Sequence, residues 1–222
     1  MKNIEVANQT IEIDPMFKEG LFRNTRKMTA LFEIDRVKHV GTDVVNEKSA
    51  WVFSEPAVAT VKRDGTGVLV TADGEVLVRR SVKKGKRVPE GFRLAEVDAF
   101  TGHMFGVEPV AQSGFKALME EALPKTGQLL EPGTYELCGP KVNGNPEHLD
   151  AHVLIRHGAE VLPVIPDMRT VEPGEAHALL KPIFADLQEK GVEGVVWWGA
   201  DDKRVKLRVK DFFGDTNRWW HP

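Results

Sequence analysis

The sequence predicts an α+β fold built on antiparallel sheets with flanking helices. Short β-branched runs recur from residue 57 onward, and only two segments show clear helical spacing of apolar residues. Turns rich in Asp and Gly separate several of the β-branched runs. Strands joined by tight turns pair in the antiparallel sense, and the intervening helices cover the sheets that result. We therefore expect antiparallel sheets rather than a doubly wound parallel one.

The first half of the chain contains a mixed segment and then clear strand signals. We interpret residues 1–56 as a leader that packs against a main domain of residues 57–222. In that domain AVATVKR and GVLVT are separated by a turn at residues 64–66, and a turn at residues 72–75 leads into VLVRRSV. Apolar runs joined by Asp-Gly are typical of β-hairpins. Residues 83–92 contain Gly and Pro between polar residues, which indicates a loop.

The second half alternates helices and strands. SGFKALMEEALP predicts a short helix that ends at Pro124, and TYELCGP and AHVLIRHG each predict a strand. Residues 173–190 form the clearest helix, with apolar residues on one face and Gly191 as its C-cap. EGVVWWG and RVKLRVKDF then predict a hairpin, in which alternation places one of Trp197 and Trp198 in the core.

Composition limits the class of protein. The 222 residues suit one large domain or a domain with a small appendage, and 41% hydrophobic with 28% charged residues is typical of a soluble globular protein. The single cysteine, Cys138, cannot form an internal disulfide, which favours a reducing compartment. The N-terminus has no signal-peptide pattern, and no apolar run is long enough for a membrane helix. We expect a cytoplasmic protein without a membrane partner.

Charge is concentrated locally, although the net charge is only −3. The strip of residues 79–93 contains seven basic residues and a single acid, Glu90. Such a strip can hold phosphates on a mildly acidic protein without attracting polyanions over the whole surface. A charge run alone is more typical of a solvated loop. The residues predicted to contact nucleic acid are Lys83, Lys84, Lys86 and Arg87.

Four short segments become informative when they are read together. A lysine stands at a strand end before a tight turn, a glutamate stands in a later strand, a second glutamate begins the last hairpin, and basic residues alternate in its second strand. The segments are VKRDG (61–65), YELCGP (135–140), VEGVV (192–196) and VKLRVK (205–210). Each is weak alone, but four in this order and spacing are a strong signal.

The order and spacing of these segments resemble motifs I, III, IV and V of the covalent nucleotidyl transferases, which include DNA ligases, RNA ligases and mRNA capping enzymes. The runs ATVKRDGT, TGHMFGVEPV, YELCGPKVNGNPEHL, HVLIRHG and VEGVVWW further resemble the vertebrate-type 5′-to-3′ RNA ligase family and its microbial relatives. The resemblance covers most of the chain and implies a nucleotidyltransferase (ATP-grasp-like) domain. HVLIRHG departs from many RNA ligases, because it offers no aromatic residue to stack on adenine.

The resemblance implies an ATP-dependent RNA ligase that joins 5′-phosphate and 3′-hydroxyl ends through a lysyl-AMP intermediate. Lys62 would be the nucleophile, and a lysine amine attacks phosphorus only in its neutral form. Glu193 would be the carboxylate beside Mg²⁺ or Mn²⁺, which screens the triphosphate. Lys206 would contact the α-phosphate of ATP. Arg208 stands where motif V of other family members commonly has a second lysine, and it keeps the positive charge.

The same resemblance assigns the sugar and the phosphates of the nucleotide. Glu136 would accept hydrogen bonds from the ribose. Arg80, or as the second choice Arg79, would be the arginine of motif Ia, which follows the nucleophile by one hairpin and holds a sugar or phosphate. The full predicted nucleotide-binding set is Lys62, Asp64, Gly65, Arg80, Glu136, Glu193, Lys206 and Arg208. Alternatives are DNA ligation, GMP transfer to RNA 5′ ends, and a nucleic-acid-binding module that has lost catalysis.

Overall fold

The computed structural model describes residues 4–6, 9–18, 28–123 and 130–214. Two compact units contain them. The first unit comprises residues 1–26 and 65–156, and the second comprises residues 27–64 and 157–222. Both are of mixed α+β class with few helices, and nearly all of their strand pairs are antiparallel, as the sequence predicts.

Strands dominate both units, and helices are few. In chain order the strands are β1 (Ile4–Val6), β2 (Gln9–Ile11), β3 (Thr29–Ala30), β4 (Phe32–Ile34), β5 (Gly41–Val45), β6 (Val58–Lys62), β7 (Thr66–Val70), β8 (Val76–Val82), β9 (Arg93–Val97), β10 (Met104–Pro109), β11 (Gly133–Cys138), β12 (Val153–Arg156), β13 (Gly194–Trp198) and β14 (Arg204–Arg208). The helices are α1 (Lys116–Ala122), α2 (Ala176–Glu189) and α3 (Val209–Phe213).

The first unit is built on a six-stranded sheet in the order β12-β11-β7-β8-β10-β9. One face carries Val68, Val78 and Leu137, which pack with Met119 of α1. The opposite face carries Leu69, Leu77 and Val107, which pack around Phe17. The strands carry apolar residues on both faces because both faces are at least partly covered. Helix α1 ends at Ala122, and its predicted stop at Pro124 lies outside the described residues.

The second unit is built on a four-stranded sheet in the order β3-β14-β13-β6. One face of this sheet forms the core with α2, whose buried residues Ala176, Leu180, Phe184 and Leu187 recur at helical spacing. Gly191, at φ +69°, follows α2, and its N–H donates to the Gln188 carbonyl at 3.0 Å. This confirms the predicted helix and its glycine cap. Trp197 is buried and Trp198 is half-buried, as alternation predicted.

The prediction of a hairpin at the first Asp-Gly turn is wrong. Strand β6 pairs with β13, whereas β7 pairs with β8 and β11, so the chain passes from one sheet to another at residues 63–65. Gly65 lies against β11, where a Cβ atom would be 2.2 Å from the Leu137 carbonyl oxygen. The glycine therefore serves a close backbone approach instead of a strand reversal. The hairpin at the second Asp-Gly turn is confirmed by the pair Val70↔Val76.

The last predicted strand is shorter than the sequence suggested. β14 ends at Arg208, and the following residues form α3. The Asp211 carboxylate accepts a hydrogen bond from the Arg208 N–H at 2.8 Å, which begins the helix. Lys210 therefore lies on a helix and not in the strand that alternation implied.

None of the helices in the described part of the chain combines the length and the apolar composition needed to span a bilayer.

Candidate functional site

The second unit gathers basic residues on one face of its four-stranded sheet. Gly194 of β13 pairs with Lys62 on one side and with Arg208 on the other, and Val196 pairs with Lys206. Successive side chains of a strand point to opposite faces, so Lys62, Lys206 and Arg208 share one face. The opposite face carries the buried core of this unit. The alternation of VKLR thus separates cationic from apolar residues.

An ion pair joins the predicted nucleophile to the predicted metal-side carboxylate. The Lys62 ammonium donates a short hydrogen bond to Glu193, and it also donates to the Arg63 carbonyl oxygen at 3.3 Å. The two side chains are only 17% and 16% exposed. Burial raises the pKa of Glu193, and the nearby Lys62 charge acts in the opposite direction. Glu193 is therefore a better proton acceptor than a solvated glutamate.

The charges of Lys62, Glu193 and Arg208 act on the neighbouring Lys206. Burial, followed by the charges of Arg208 and Lys62, lowers the pKa of Lys206 to about 8. Like charges that are brought together out of water disfavour the protonated lysine. An anion bound at this face would remove part of that penalty, so the arrangement favours a negatively charged ligand.

Asp211 fixes the position of Arg208 and was not predicted as a site residue. The Arg208 guanidinium donates to the Asp211 carboxylate at 2.7 Å, and Asp211 is only 1% exposed. The same carboxylate caps α3. A buried carboxylate needs such partners. The sequence signal for this role is an acid three residues after the end of the strand, because that spacing is typical of a capping box at the start of a helix.

Gly194 is a second structural residue of the site that was not predicted from the sequence. A Cβ atom at Gly194 would lie 2.3 Å from the Leu207 carbonyl oxygen and 2.7 Å from the Arg208 Cα. Real side chains do not tolerate such distances, so only glycine lets β14 approach β13 at this point. This close approach sets the position of Arg208 beside the Lys62–Glu193 pair.

Asp64 and Glu193 are carboxylates of the second unit that suit a divalent cation. The charge of Asp64 contributes to the raised pKa of Glu193, so the two carboxylates interact. Mg²⁺ commonly takes one or two carboxylates and completes its shell with water and substrate phosphates, so Asp64 and Glu193 are the carboxylates of this group that could hold it. The described residues include no group of three or more His, Cys, Asp or Glu side chains placed to hold a metal ion.

Two side chains of the first unit form hydrogen bonds with the backbone of Gly65. The Gly65 N–H donates to the Glu136 carboxylate at 3.0 Å, and the Asn143 side chain donates to the Gly65 carbonyl oxygen at 2.8 Å. Two predicted residues, Gly65 and Glu136, are therefore in contact. Asn143 belongs to the KVNGNPEHL run and was not selected as a site residue, although the run carries the family resemblance.

The two candidate arginines lie on opposite faces of the six-stranded sheet. Arg79 lies beside Gly67, the cross-strand partner of Glu136, because a Cβ at Gly67 would be 3.6 Å from the Arg79 Cβ. Arg80 lies on the other face, where it is 3.8 Å from the buried carboxylate of Glu108. The face shared with Glu136 is therefore that of Arg79.

The predicted nucleic-acid contacts lie on the loop between β8 and β9. Lys83, Lys84, Lys86 and Arg87 are all exposed. The remaining predicted residues fall into two groups. In the second unit, Lys62, Asp64, Glu193, Lys206 and Arg208 are brought together; in the first, Gly65 and Glu136 are brought together and Arg80 is separated from them.

Neither the protein-family models nor the curated proteins that were compared with the chain gave a match.

Proposed function

We propose that the protein is an ATP-dependent RNA ligase that forms a lysyl-AMP intermediate on Lys62. The observation that carries this proposal is the largely buried Lys62–Glu193 pair on a sheet face shared with Lys206 and Arg208. A solvated lysine needs none of these neighbours. A lysine that attacks a phosphorus atom needs a proton acceptor and fixed cations for the charge of the reacting phosphate.

In the first step the neutral amine of Lys62 attacks the α-phosphorus of ATP. The N–P bond forms, the bond from the α-phosphorus to the bridging oxygen breaks, and pyrophosphate leaves. Glu193, which is hydrogen-bonded to the Lys62 amine, accepts the proton that the amine loses. Charge develops on the α-phosphate oxygens as the pyrophosphate departs, and Lys206 and Arg208 are the cations of the same sheet face that stabilise it.

A divalent cation, Mg²⁺ or Mn²⁺, would be held by Glu193 and Asp64 together with phosphate oxygens, and when bound it supplies Lewis-acid screening of the triphosphate and of the leaving group. The family resemblance adds Glu136 as the contact to the ribose. It also adds an arginine on β8, and the placement of Arg79 on the face of Glu136 favours Arg79 over Arg80 for this role.

The two later steps use the RNA ends. A 5′-phosphate oxygen of the RNA attacks the lysyl-AMP phosphorus, which releases Lys62 and forms an adenylylated RNA end. The 3′-hydroxyl of a second end then attacks the RNA 5′-phosphorus, and AMP leaves. We propose that the domain has a nucleotidyltransferase (ATP-grasp-like) fold. We further propose that the reaction takes place in the cytoplasm and serves RNA repair.

The test is covalent labelling of the whole chain with α-labelled ATP or GTP in the presence of Mg²⁺, followed by denaturation. We expect label from ATP and none from GTP, and we expect Lys62→Ala to abolish it. Lys203→Ala is the matched control, because Lys203 also forms an ion pair with a glutamate of the second unit, Glu55. That variant should label like the unaltered protein.

The possible results separate the alternatives. Label from GTP alone would identify a capping-type transferase, and no label from either nucleotide would support a binding module. Label that survives Lys62→Ala would refute the assignment of the nucleophile. If ATP labels the protein, 5′-phosphorylated single-stranded RNA and nicked DNA duplexes offered as substrates distinguish RNA ligation from DNA ligation.

A further inference from the structure

An aromatic side chain stands out from the first unit beside the basic loop. Phe100 is 87% exposed in the turn that joins β9 to β10. The turn is held by its own hydrogen bonds: the Asp98 carboxylate accepts from the N–H groups of Phe100 and Thr101, each at 3.0 Å, and the Gly102 N–H donates to the Asp98 carbonyl at 2.8 Å. A large apolar ring exposed on a hydrogen-bonded turn is a candidate contact for a binding partner.

The turn and the basic loop are in contact. A Cβ atom at Gly102 would lie 2.9 Å from the Lys84 Cδ, so the stem of Lys84 packs against the turn. Long basic side chains cover apolar surface in this way while their charged ends stay in water. We call the set Lys83, Lys84, Lys86, Arg87 and Phe100 the aromatic–basic surface. It combines one ring and four exposed cations within a single unit.

This combination matches the chemistry of unpaired nucleotides. Cations track a phosphate backbone, and an exposed ring stacks on a base that is not paired. In a duplex the bases are already stacked inside, so a ring at a turn has no base to contact and only the cations contribute. The net charge of the whole chain is −3, so an attraction for polyanions must be local.

We propose that the aromatic–basic surface binds single-stranded RNA, with Phe100 stacked on one base and the loop cations on the adjoining phosphates. The choice of RNA over DNA rests on the proposed ligase function, because stacking and phosphate contact are common to both polymers. The surface would retain an RNA strand whose end is to be joined.

The test is the affinity of the whole chain for a fluorescent single-stranded oligoribonucleotide, measured by anisotropy without ATP. The variants are Phe100→Ala, Phe100→Leu and Phe100→Trp. Loss of one stacked base is expected to weaken binding about tenfold for Ala and Leu, whereas Trp should bind as tightly as Phe or more tightly. Because no nucleotide is present, failure of the binding and failure of lysyl-AMP formation appear in separate assays.

Salt dependence separates the ring from the cations. The double variant Lys83→Ala, Lys86→Ala should reduce the slope of log affinity against log salt by about 1.4, since each phosphate contact on a single strand contributes about 0.7. Phe100→Ala should lower the affinity without changing the slope. The control is Val37→Ala, at another strongly exposed apolar position, which should leave both quantities unchanged. Circular dichroism verifies that each variant is folded.

Three results would overturn the proposal. Leucine that binds like phenylalanine would mean that no stacking occurs, and equal or tighter binding of a DNA oligonucleotide of the same sequence would overturn the assignment to RNA. Binding to phosphatidylserine-containing vesicles that depends on Phe100, without any Phe100 effect on RNA, would instead identify a lipid-facing surface. Tighter binding of the RNA strand than of an RNA duplex supports the proposal.

Discussion

Two lysine–glutamate pairs of the second unit lie at opposite ends of the β13–β14 hairpin and differ in their surroundings. Lys62 and Glu193 are 17% and 16% exposed, whereas Lys203 and Glu55 are 41% and 38% exposed. The first pair adjoins Lys206 and Arg208 on the same sheet face. The second instead lies beside Trp51, with the Lys203 amine 5.8 Å from the ring centroid.

The comparison shows that pairs of the same residue types can have different electrostatic surroundings in one protein. Both pairs contain the same two functional groups. At the first pair, burial raises the pKa of Glu193, and the cations Lys206 and Arg208 lie nearby. An exposed ion pair contributes little to stability. We therefore expect substitutions at the first pair to alter reactivity, and equivalent substitutions at the second to have little effect.

The two pairs should differ most strongly when their glutamates are replaced. Glu193→Gln keeps the shape of the side chain but removes the proton acceptor and its charge, so the rate of lysyl-AMP formation should fall by about 10² to 10⁴. Glu55→Gln should leave the rate unchanged. The measurement is the initial rate of label transfer from ATP at saturating nucleotide. Equal rates for the two variants would remove Glu193 from the mechanism.

The next effect concerns the strand geometry at the Lys62 end of the hairpin. Gly194→Ala forces the new Cβ into the backbone of β14, where the nearest atom would be 2.3 Å away, and should lower the free energy of unfolding by about 1 to 3 kcal/mol. Gly174→Ala is the control in the same unit, because a Cβ there meets no atom within 4 Å. Urea denaturation measures the free energy of unfolding of both variants. A stable Gly194→Ala protein would show that β14 can shift freely.

A weaker effect is expected in the pH dependence of stability at Lys206. Its pKa in the folded protein, about 8, lies below the ordinary lysine value of 10.5, so folding disfavours the charged form. The penalty is fully present below pH 8 and is relieved as the pH rises toward 10.5. Lys206→Met should therefore raise the free energy of unfolding at pH 7 by about 1 to 2 kcal/mol, because partial solvent exposure screens the charges and reduces the penalty.

Denaturation of the Lys206→Met protein and of the unaltered protein at pH 7 and pH 10 tests this sign. The gain should shrink at pH 10, and Lys203→Met, at the exposed pair, should show no comparable gain at pH 7. If Lys206→Met destabilised the protein at pH 7, the cationic group would be a source of stability, and the contrast between the two pairs would lose its electrostatic basis.

The elements with strong local signals were predictable from the sequence. Helix α2, the β13–β14 hairpin and the second Asp-Gly turn follow from apolar spacing and turn residues, which act over a few positions. The failure at Asp64-Gly65 has a non-local cause. That turn is decided by the pairing of β6 with β13 and by the contact of Gly65 with β11, and both partners are distant in the chain.

The same distinction applies to the candidate site. Short motifs predict Lys62, Glu193, Lys206 and Arg208, and the pairing of β6, β13 and β14 brings them together. Asp211 and Gly194 were missed because their roles depend on a helix start and on a close strand approach. The orientation of Arg79 and Arg80 depends on the sheet register, which alternation leaves open until one neighbour is fixed.

Peptide mapping by mass spectrometry, after incubation of the protein with ATP and Mg²⁺, decides whether Lys62 is the nucleophile. We predict one adenylate on the peptide that contains Lys62, attached to that lysine and labile to acid as a phosphoramide. The peptide that contains Lys203 should remain unmodified. An adenylate on any other residue, or none on Lys62 when the chain is labelled, would refute the proposed chemistry.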